Sequence, residues 1–237
     1  VRIGAMPVIT TATDARGMFA VDIFATEHNM RIVNPVMIKD ISGRILNNEP
    51  VGITGNDKYK NLLKVTEERW NGQIKYTDNS NNEYESGVQI ITGKDDKIVF
   101  KRTLKLVPQE LAVGIGCKKG KSAHEIERVV KKTFDKAGLL LEAIAVVASV
   151  DRKADEAGII EFARKCKVPY KTYTPEYLRD VEGDFVSSAF VEEQIGVGNV
   201  CERSAGAASS GGEKLVGKTA DNGVTVAIYR VAQKNKE

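Results

Sequence analysis

Histidine occurs only twice in these 237 residues, at His28 and His124. That scarcity excludes a multi-histidine metal centre and leaves histidine-based catalysis two candidates. Cysteine is nearly as rare. Cys117, Cys166 and Cys201 lie far apart with no CxxC pair, which argues against a disulfide scaffold or zinc knuckle and points to a reducing cytoplasm. No apolar run approaches the ~18 residues of a membrane span, and no charged-then-apolar signal segment opens the chain. Charge of one sign is missing too. The 35 Lys+Arg against 32 Asp+Glu leave a formal +3, too little for the basic footprint of a nucleic-acid-binding protein.

What remains is a chain of alternating strand and helix signals with a change of character near Pro108. It begins with Val1, and Met6-Pro7-Val8-Ile9 already reads as a buried strand, so the chain is expected to start inside a longer protein. Met18, Val21 and Ala25 predict a short helix. Asn34 followed by Pro35 predicts an N-cap, with Ile38, Ile41, Ile45 and Leu46 as the apolar stripe of the helix that follows. A further helix is expected over 57–71, then short strands over 73–77, 87–92, 97–101 and 103–107. The Asn-rich run 78–82 and the pair Asp95-Asp96 supply turns.

After Pro108 the apolar strand Leu111–Ile115 leads through a glycine turn into a helix that opens with Ser122 and Glu125 at capping-box spacing. Ile126, Val129, Val130, Thr133 and Ala137 line one face of that helix, and Gly138 ends it. Strands over 144–149, 168–173 and 224–230 alternate with helices near 155–166, 187–195 and 199–209, which implies a mostly parallel sheet covered on both faces.

In such sheets ligands bind beyond the carboxyl ends of strands. Three segments qualify. In the first, Gly114, Gly116 and Gly120 would let backbone N–H groups approach a carboxylate or phosphate, with Lys118 and Lys119 adding charge. The spacing is neither GxGxxG nor that of a P-loop, so a nucleotide module is disfavoured. The second is 149–156, where Asp155 and Glu156 either cap a helix or present a base. The third runs from Val200 through Cys201, Glu202 and Arg203 into the small-residue stretch 205–212, which contains Ser209, Ser210, Gly211 and Gly212. That stretch is either a mobile linker or a loop moulded to a bulky ligand. Cys117, beside lysines at a helix start, is a candidate thiolate nucleophile, with a small buried residue as the alternative.

Taken together, these segments resemble a known family. Pro7-Val8-Ile9-Thr10-Thr11-Ala12-Thr13-Asp14, Gly114-Ile115-Gly116-Cys117-Lys118-Lys119-Gly120, the Asp151–Glu156 stretch with Gly158, Val200-Cys201-Glu202-Arg203 and Lys218-Thr219 occur in the order seen in the CbiG proteins of cobalamin biosynthesis, whose C-terminal domain is shared with CobE. The resemblance implies three regions: 1–50 as the remainder of an N-terminal α/β domain, 51–108 as a smaller α+β middle region, and 109–237 as a three-layer α/β/α C-terminal domain. It implies a cytoplasmic cobalt-precorrin-5A hydrolase that opens a δ-lactone on a cobalt tetrapyrrole and releases acetaldehyde, with a non-catalytic corrinoid carrier as the alternative. No cofactor of its own is expected, because the cobalt arrives inside the substrate. The expected partners are the anionic tetrapyrrole and the methyltransferases of the pathway, with neither nucleic acid nor membrane.

The local charge agrees with such a ligand. Residues 117–136 hold seven Lys/Arg against three Asp/Glu, a patch able to attract a polycarboxylate. Lactone opening needs a base and oxyanion donors. Glu202 or Asp155 is expected as the base, and the amides near Gly116–Gly120 or Gly211–Gly212 as donors. Lys118, Lys119 and Lys218 are expected as carboxylate clamps, with Thr219 beside the last.

Overall fold

In a computed structural model, residues 17–70, 72–78, 83–183, 185 and 198–232 are described. The expectations for Met6–Ile9, for the segment Pro7–Asp14 and for a helix near 187–195 lie outside these residues, as does most of the Asn-rich run. The chain divides into two units between Pro108 and Gln109.

The first unit carries α1 (Val21–Glu27), β1 (Met30–Ile32), α2 (Met37–Leu46), β2 (Gly52–Thr54), α3 (Lys60–Arg69), β3 (Lys75–Tyr76), β4 (Ser86–Ile90) and β5 (Arg102–Pro108). Its sheet has the order β1-β5-β4-β2-β3. The last four strands of that order are parallel and β1 runs antiparallel to β5. Met30 pairs with Pro108, so residues 17–50 share one sheet with 51–108 and no boundary falls at residue 50. Ile41 and Ile45 of α2 are buried with Ile53, Leu63, Val88, Ile90, Leu104 and Leu106, as helical spacing on one face requires.

Two local expectations fail here for the same reason, a side chain bonded to distant backbone. Asn34 does not cap α2. Its Oδ1 accepts the Lys105 N–H at 2.8 Å and its Nδ2 donates to the Thr103 carbonyl at 2.9 Å, extending the pairing of β5, while Val36 stands at the helix N-terminus without a side-chain cap. Residues 97–101 form no strand, because Gln89 claims their backbone. Gln89 Nε2 donates to the Lys97 carbonyl at 2.7 Å and its Oε1 accepts the Val99 N–H at 3.2 Å.

The second unit carries β6 (Leu111–Cys117), α4 (Ala123–Lys136), β7 (Ile144–Val150), α5 (Ala157–Cys166), β8 (Tyr170–Tyr173), α6 (Pro175–Arg179), α7 (Val200–Ser209), β9 (Lys214–Asp221) and β10 (Val224–Arg230). Its order is β8-β7-β6-β10-β9, with β6, β7 and β8 mutually parallel and β10 antiparallel to both β6 and β9. Strand β9, which the hydrophobic pattern did not announce, therefore runs in the direction of β6, and only β10 is reversed. The capping box on α4 forms in full: Ser122 Oγ accepts the Glu125 N–H, and the Glu125 carboxylate accepts the Ser122 N–H at 3.0 Å. Phe134, not the exposed Ala137, completes the buried face of α4.

Candidate active site at the carboxyl ends of the second sheet

Helix α7 runs back across β6 and β7. Its Ala208 packs with Ala112 and Val146, whereas its Val200 packs with Val150 at the far end of β7. The α7 N-terminus therefore lies at the carboxyl ends of β6 and β7, where the β6–α4 and β7–α5 turns also emerge. The small-residue stretch makes this possible. A Cβ at Gly114 would stand 1.8 Å from the Cys201 carbonyl oxygen, so helix and strand touch backbone to backbone. Ser204, Ala205, Gly206, Ala208 and Ser209 are buried in this contact. Residues 205–209 are thus neither linker nor ligand loop but the second half of a helix whose close seat admits only small side chains.

Ser209, Ser210, Gly211 and Gly212 lie at the other end of α7. Ser209 Oγ donates to the Gly206 carbonyl at 2.7 Å and accepts the Gly212 N–H at 3.0 Å, ending the helix. They line a groove of about 530 Å³ together with Tyr177, Lys214 and Tyr229, but α7 separates them from the Gly116–Gly120 turn.

The two turns at the carboxyl end are pinned to each other. Glu156 Oε1 accepts the Gly120 N–H at 2.9 Å and its Oε2 pairs with Lys153 Nζ at 2.7 Å, so Lys153 and that amide hold its carboxyl below the ordinary range despite partial burial. A Cβ at Gly158 would lie 2.0 Å from the Lys121 carbonyl, so α5 starts directly against the turn. Ser149 Oγ donates to the Ile115 carbonyl at 2.7 Å, and Tyr170 Oη donates to the Lys153 carbonyl at 2.8 Å. Burial pushes the Tyr170 phenol up to about 12. Lys118 and Lys119 are exposed on the turn. The backbone donors expected there are largely engaged, since the Lys118 N–H donates to Gly223 and the Gly120 N–H to Glu156.

The expected base residues part company. Asp155 is exposed on the β7–α5 turn. Glu202 is 3% exposed in the first turn of α7. Its Oε1 accepts the Lys218 N–H, and its Oε2 lies 3.4 Å from Lys214 Nζ. The β9–β10 register shows why: Val226 faces Thr219 but Ile228 faces Val216, so β9 carries one extra residue at Gly217-Lys218. Glu202 takes up the amide that this bulge frees from the ladder. Lys218 thus reaches the α7 face by its backbone. Thr219 instead joins the α4 side, with its Oγ1 3.1 Å from Thr133 Oγ1 and donating to the Val226 carbonyl at 3.2 Å.

Both cysteines are quiet. Burial pushes the Cys201 thiol up to about 11, and its Sγ donates to Asn199 Oδ1 at 3.5 Å. Burial also raises the Cys117 thiol, with Lys153 only partly opposing it, which works against a thiolate nucleophile. Arg203 stitches α6 to α7, donating to the carbonyls of Leu178, Arg179 and Val181 at 3.0–3.2 Å and lying 4.4 Å from the Phe185 ring centre. Asp151 and Lys153 lie inside the segment 149–156 that the sequence marked, whereas hydrophobic periodicity passed over Tyr170 and Asn199 at this end. Asn199 carried a local signal, as an Asn directly before a helix. Among the described residues no group of three or more His, Cys, Asp and Glu is placed to hold a metal ion, and no helix is long and apolar enough to cross a membrane.

Helix N-termini and a basic turn gathered beyond the carboxyl ends of parallel strands define an α/β unit suited to an anionic ligand. The family described as "Cobalamin synthesis G C-terminus" matches residues 111–229, and "Cobalamin biosynthesis central region" matches 19–115. The chain belongs to the CbiG family. It is 31% identical over 229 residues to the cobalt-precorrin-5A hydrolase of Salmonella typhimurium, covering 95% of this chain and 64% of that protein. It is 28% identical over 235 residues to the probable cobalt-precorrin-5A hydrolase of Methanocaldococcus jannaschii, covering 93% and 65%. Among solved structures, CobE, a protein from the cobalamin (vitamin B12) biosynthetic pathway, aligns with 54% of this chain and 94% of its own at 29% identity and a TM-score of 0.50. The chain spans less than two thirds of the length of these curated relatives.

Proposed function

We propose that the protein hydrolyses cobalt-precorrin-5A, opening the lactone of the cobalt tetrapyrrole and releasing acetaldehyde, with the reaction placed where β6, β7 and the α7 N-terminus meet. The observation that carries this reading is the 31% identity to the Salmonella hydrolase over nearly the whole of this chain, which spans both units. The carboxyl-end geometry supports it. Exposed Lys118 and Lys119 stand on a turn held rigid by Glu156 and would attract and orient carboxylate arms of the substrate. The α7 N-terminus would place positive dipole ends where an oxyanion develops. Cobalt belongs to the substrate in this scheme.

The test is incubation of the protein with cobalt-precorrin-5A, with acetaldehyde read through an alcohol dehydrogenase couple. Acetaldehyde released in step with loss of the starting pigment supports hydrolysis. A shift in pigment absorbance without acetaldehyde replaces this reading with that of a corrinoid carrier. Lys118→Ala with Lys119→Ala should raise KM about tenfold and leave kcat nearly unchanged, since both lysines would act on ground state and transition state alike.

A further inference from the structure

The groove of about 530 Å³ at the C-terminal end of α7 has Tyr177, Val181, Gly206, Gly211, Lys214 and Tyr229 in its lining, all within the second unit. Its floor is narrow at Gly206. A carbon set on the Gly206 Cα would touch Val181 Cγ1 at 3.5 Å, Tyr229 Cε1 at 3.7 Å and Phe185 Cζ at 4.0 Å, so the slot there is a single carbon thick. Part of the wall is aromatic. Tyr177 is 54% exposed and stacks at 5.3 Å and 15° on Tyr173, which itself packs with Val150, Leu178 and Val200. The stack holds the Tyr177 ring by one face and leaves the other open.

Two donors belong to the same groove. Tyr229 and Lys214 are paired directly across β10 and β9, so both side chains stand on the α7 face of the sheet. Tyr229 is 6% exposed, its ring packed with Cys201, Ala205 and Ala227. Its hydroxyl makes no hydrogen bond among the described residues, although a buried phenol ordinarily finds a partner. Burial, and after it the Glu202 carboxylate, push that phenol up to about 12, so it remains a donor. Lys214 Nζ lies 3.4 Å from Glu202 Oε2 and 5.6 Å from the Phe185 ring centre. An ammonium carries three N–H donors and can serve Glu202 and a second carboxylate together. Glu182, exposed on the 181–183 segment, is the acid of the lining. The negative end of α7 is blunted, because the carbonyls of Gly206, Ala207 and Ser209 accept Ser209 Oγ, the Ser210 N–H and the Ala232 N–H.

We propose that this groove is a second ligand site, one that takes a flat conjugated ring bearing a carboxylate. The ring lies against the open face of Tyr177 and enters the slot over Gly206, which a puckered saturated ring is too thick to enter. The carboxylate accepts the Tyr229 O–H and pairs with Lys214. A groove of this volume holds a small ligand whole, or one edge of a larger macrocycle. Two sources share that chemistry: an edge of the conjugated tetrapyrrole with its acid arms, and a separate small aromatic acid. Helix α7 stands between this groove and the Gly116–Gly120 turn, so the site does not depend on the hydrolase reading.

The experiment titrates the protein with 2-naphthoate by calorimetry, beside the uncharged 2-naphthamide and the saturated decahydro-2-naphthoate. Saturable binding of 2-naphthoate is expected, with the other two weaker by about tenfold or more. Gly206→Ala sets a methyl in the slot at ordinary contact distances, so 2-naphthoate affinity should fall about tenfold or more. Its melting temperature should hold or rise, because alanine is the better helix former. Tyr229→Phe keeps the ring and removes the donor, so affinity should fall about five- to tenfold with melting unchanged. Cobalt-precorrin-5A that displaces 2-naphthoate assigns the groove to the tetrapyrrole, whereas 2-naphthoate binding undisturbed by the pigment assigns it to a separate aromatic acid. The proposal is overturned by no saturable 2-naphthoate binding at millimolar concentration, by equal binding of the saturated acid, or by full affinity in a folded Gly206→Ala protein. None of these outcomes reads acetaldehyde release, so the hydrolase reading stands or falls separately.

Discussion

Replacing Gly114 with alanine is the sharpest test of how the site is built. The new Cβ would meet the Cys201 carbonyl oxygen at 1.8 Å and the Ala205 nitrogen at 2.8 Å. Both are backbone atoms of α7, so no rotamer change relieves the clash. Reaching ordinary contact at 3.4 Å requires helix and strand to part by about 1.6 Å. In a strand whose backbone accepts alanine, the substitution would otherwise stabilise by about 0.4–1 kcal/mol through the unfolded chain. Overpacking against an immovable neighbour costs about 1–3 kcal/mol, and a backbone clash belongs at the top of that range, so the net sign is destabilising. A loss of about 2–3 kcal/mol in a unit of this size lowers the melting temperature by roughly 10 °C. The displacement moves the α7 N-terminus away from the ends of β6 and β7. Misplacing reacting groups by ~1 Å costs about a hundredfold in rate, so turnover should collapse even well below the melting temperature. Thermal melting by circular dichroism and the acetaldehyde assay at 20–25 °C read the two effects separately. A Gly114→Ala protein that melts with the unmodified one and turns over normally would show that α7 is not seated on β6 through this glycine.

Other outcomes follow from the same contacts. Glu202→Ala strands the Lys218 amide at the β9 bulge and should cost about 1–3 kcal/mol by chemical denaturation, whereas Glu202→Gln, which can still accept that N–H, should cost less. Ser122→Ala removes the N-cap acceptor of α4 and should lower stability by ~1 kcal/mol in the same measurement. Cys201 keeps its proton in the folded protein up to about 11, while a thiol at its ordinary value near 9.0 gives it up sooner. Its stabilising contribution is therefore complete below about pH 9 and lost as the pH rises through 11. The denaturation midpoint should fall over that window, and Cys201→Ala should fall less steeply. Glu156→Gln weakens the link between the Gly120 amide and Lys153, and should raise KM for the pigment more than it lowers kcat.

Much of the architecture was written in local pattern. The Ser122–Glu125 box, the Ile126–Thr133 stripe, the apolar runs of β6 and β7 and the break at Pro108 each depend on residues within a few positions of one another, where helix geometry and strand length act directly. The motifs around Gly116, Asp151 and Cys201 were visible too, and so was their likeness to the CbiG family. Their arrangement was not. The Ala-Gly-Ala-Ala stretch reads as flexible until a helix is laid against Gly114, when small size becomes the condition for contact. Strand β9 and its bulge exist because β10 and Glu202 accept their backbone. Asn34 and Gln89 spend their amides on strands and loops that local pattern could not pair with them.

By itself, then, the sequence determined most of the elements, though neither β9 nor the fate of 97–101, together with the break into two units and the chemical character of the candidate segments, since these arise from short-range periodicity, capping and composition. Only the tertiary structure decided which of those segments meet. It sent Ser209–Gly212 to one end of α7 and Asn199, with the β6 and β7 turns, to the other. The physical reason is that a ten-residue helix seated backbone to backbone on β6 keeps its two ends apart whatever chemistry each carries.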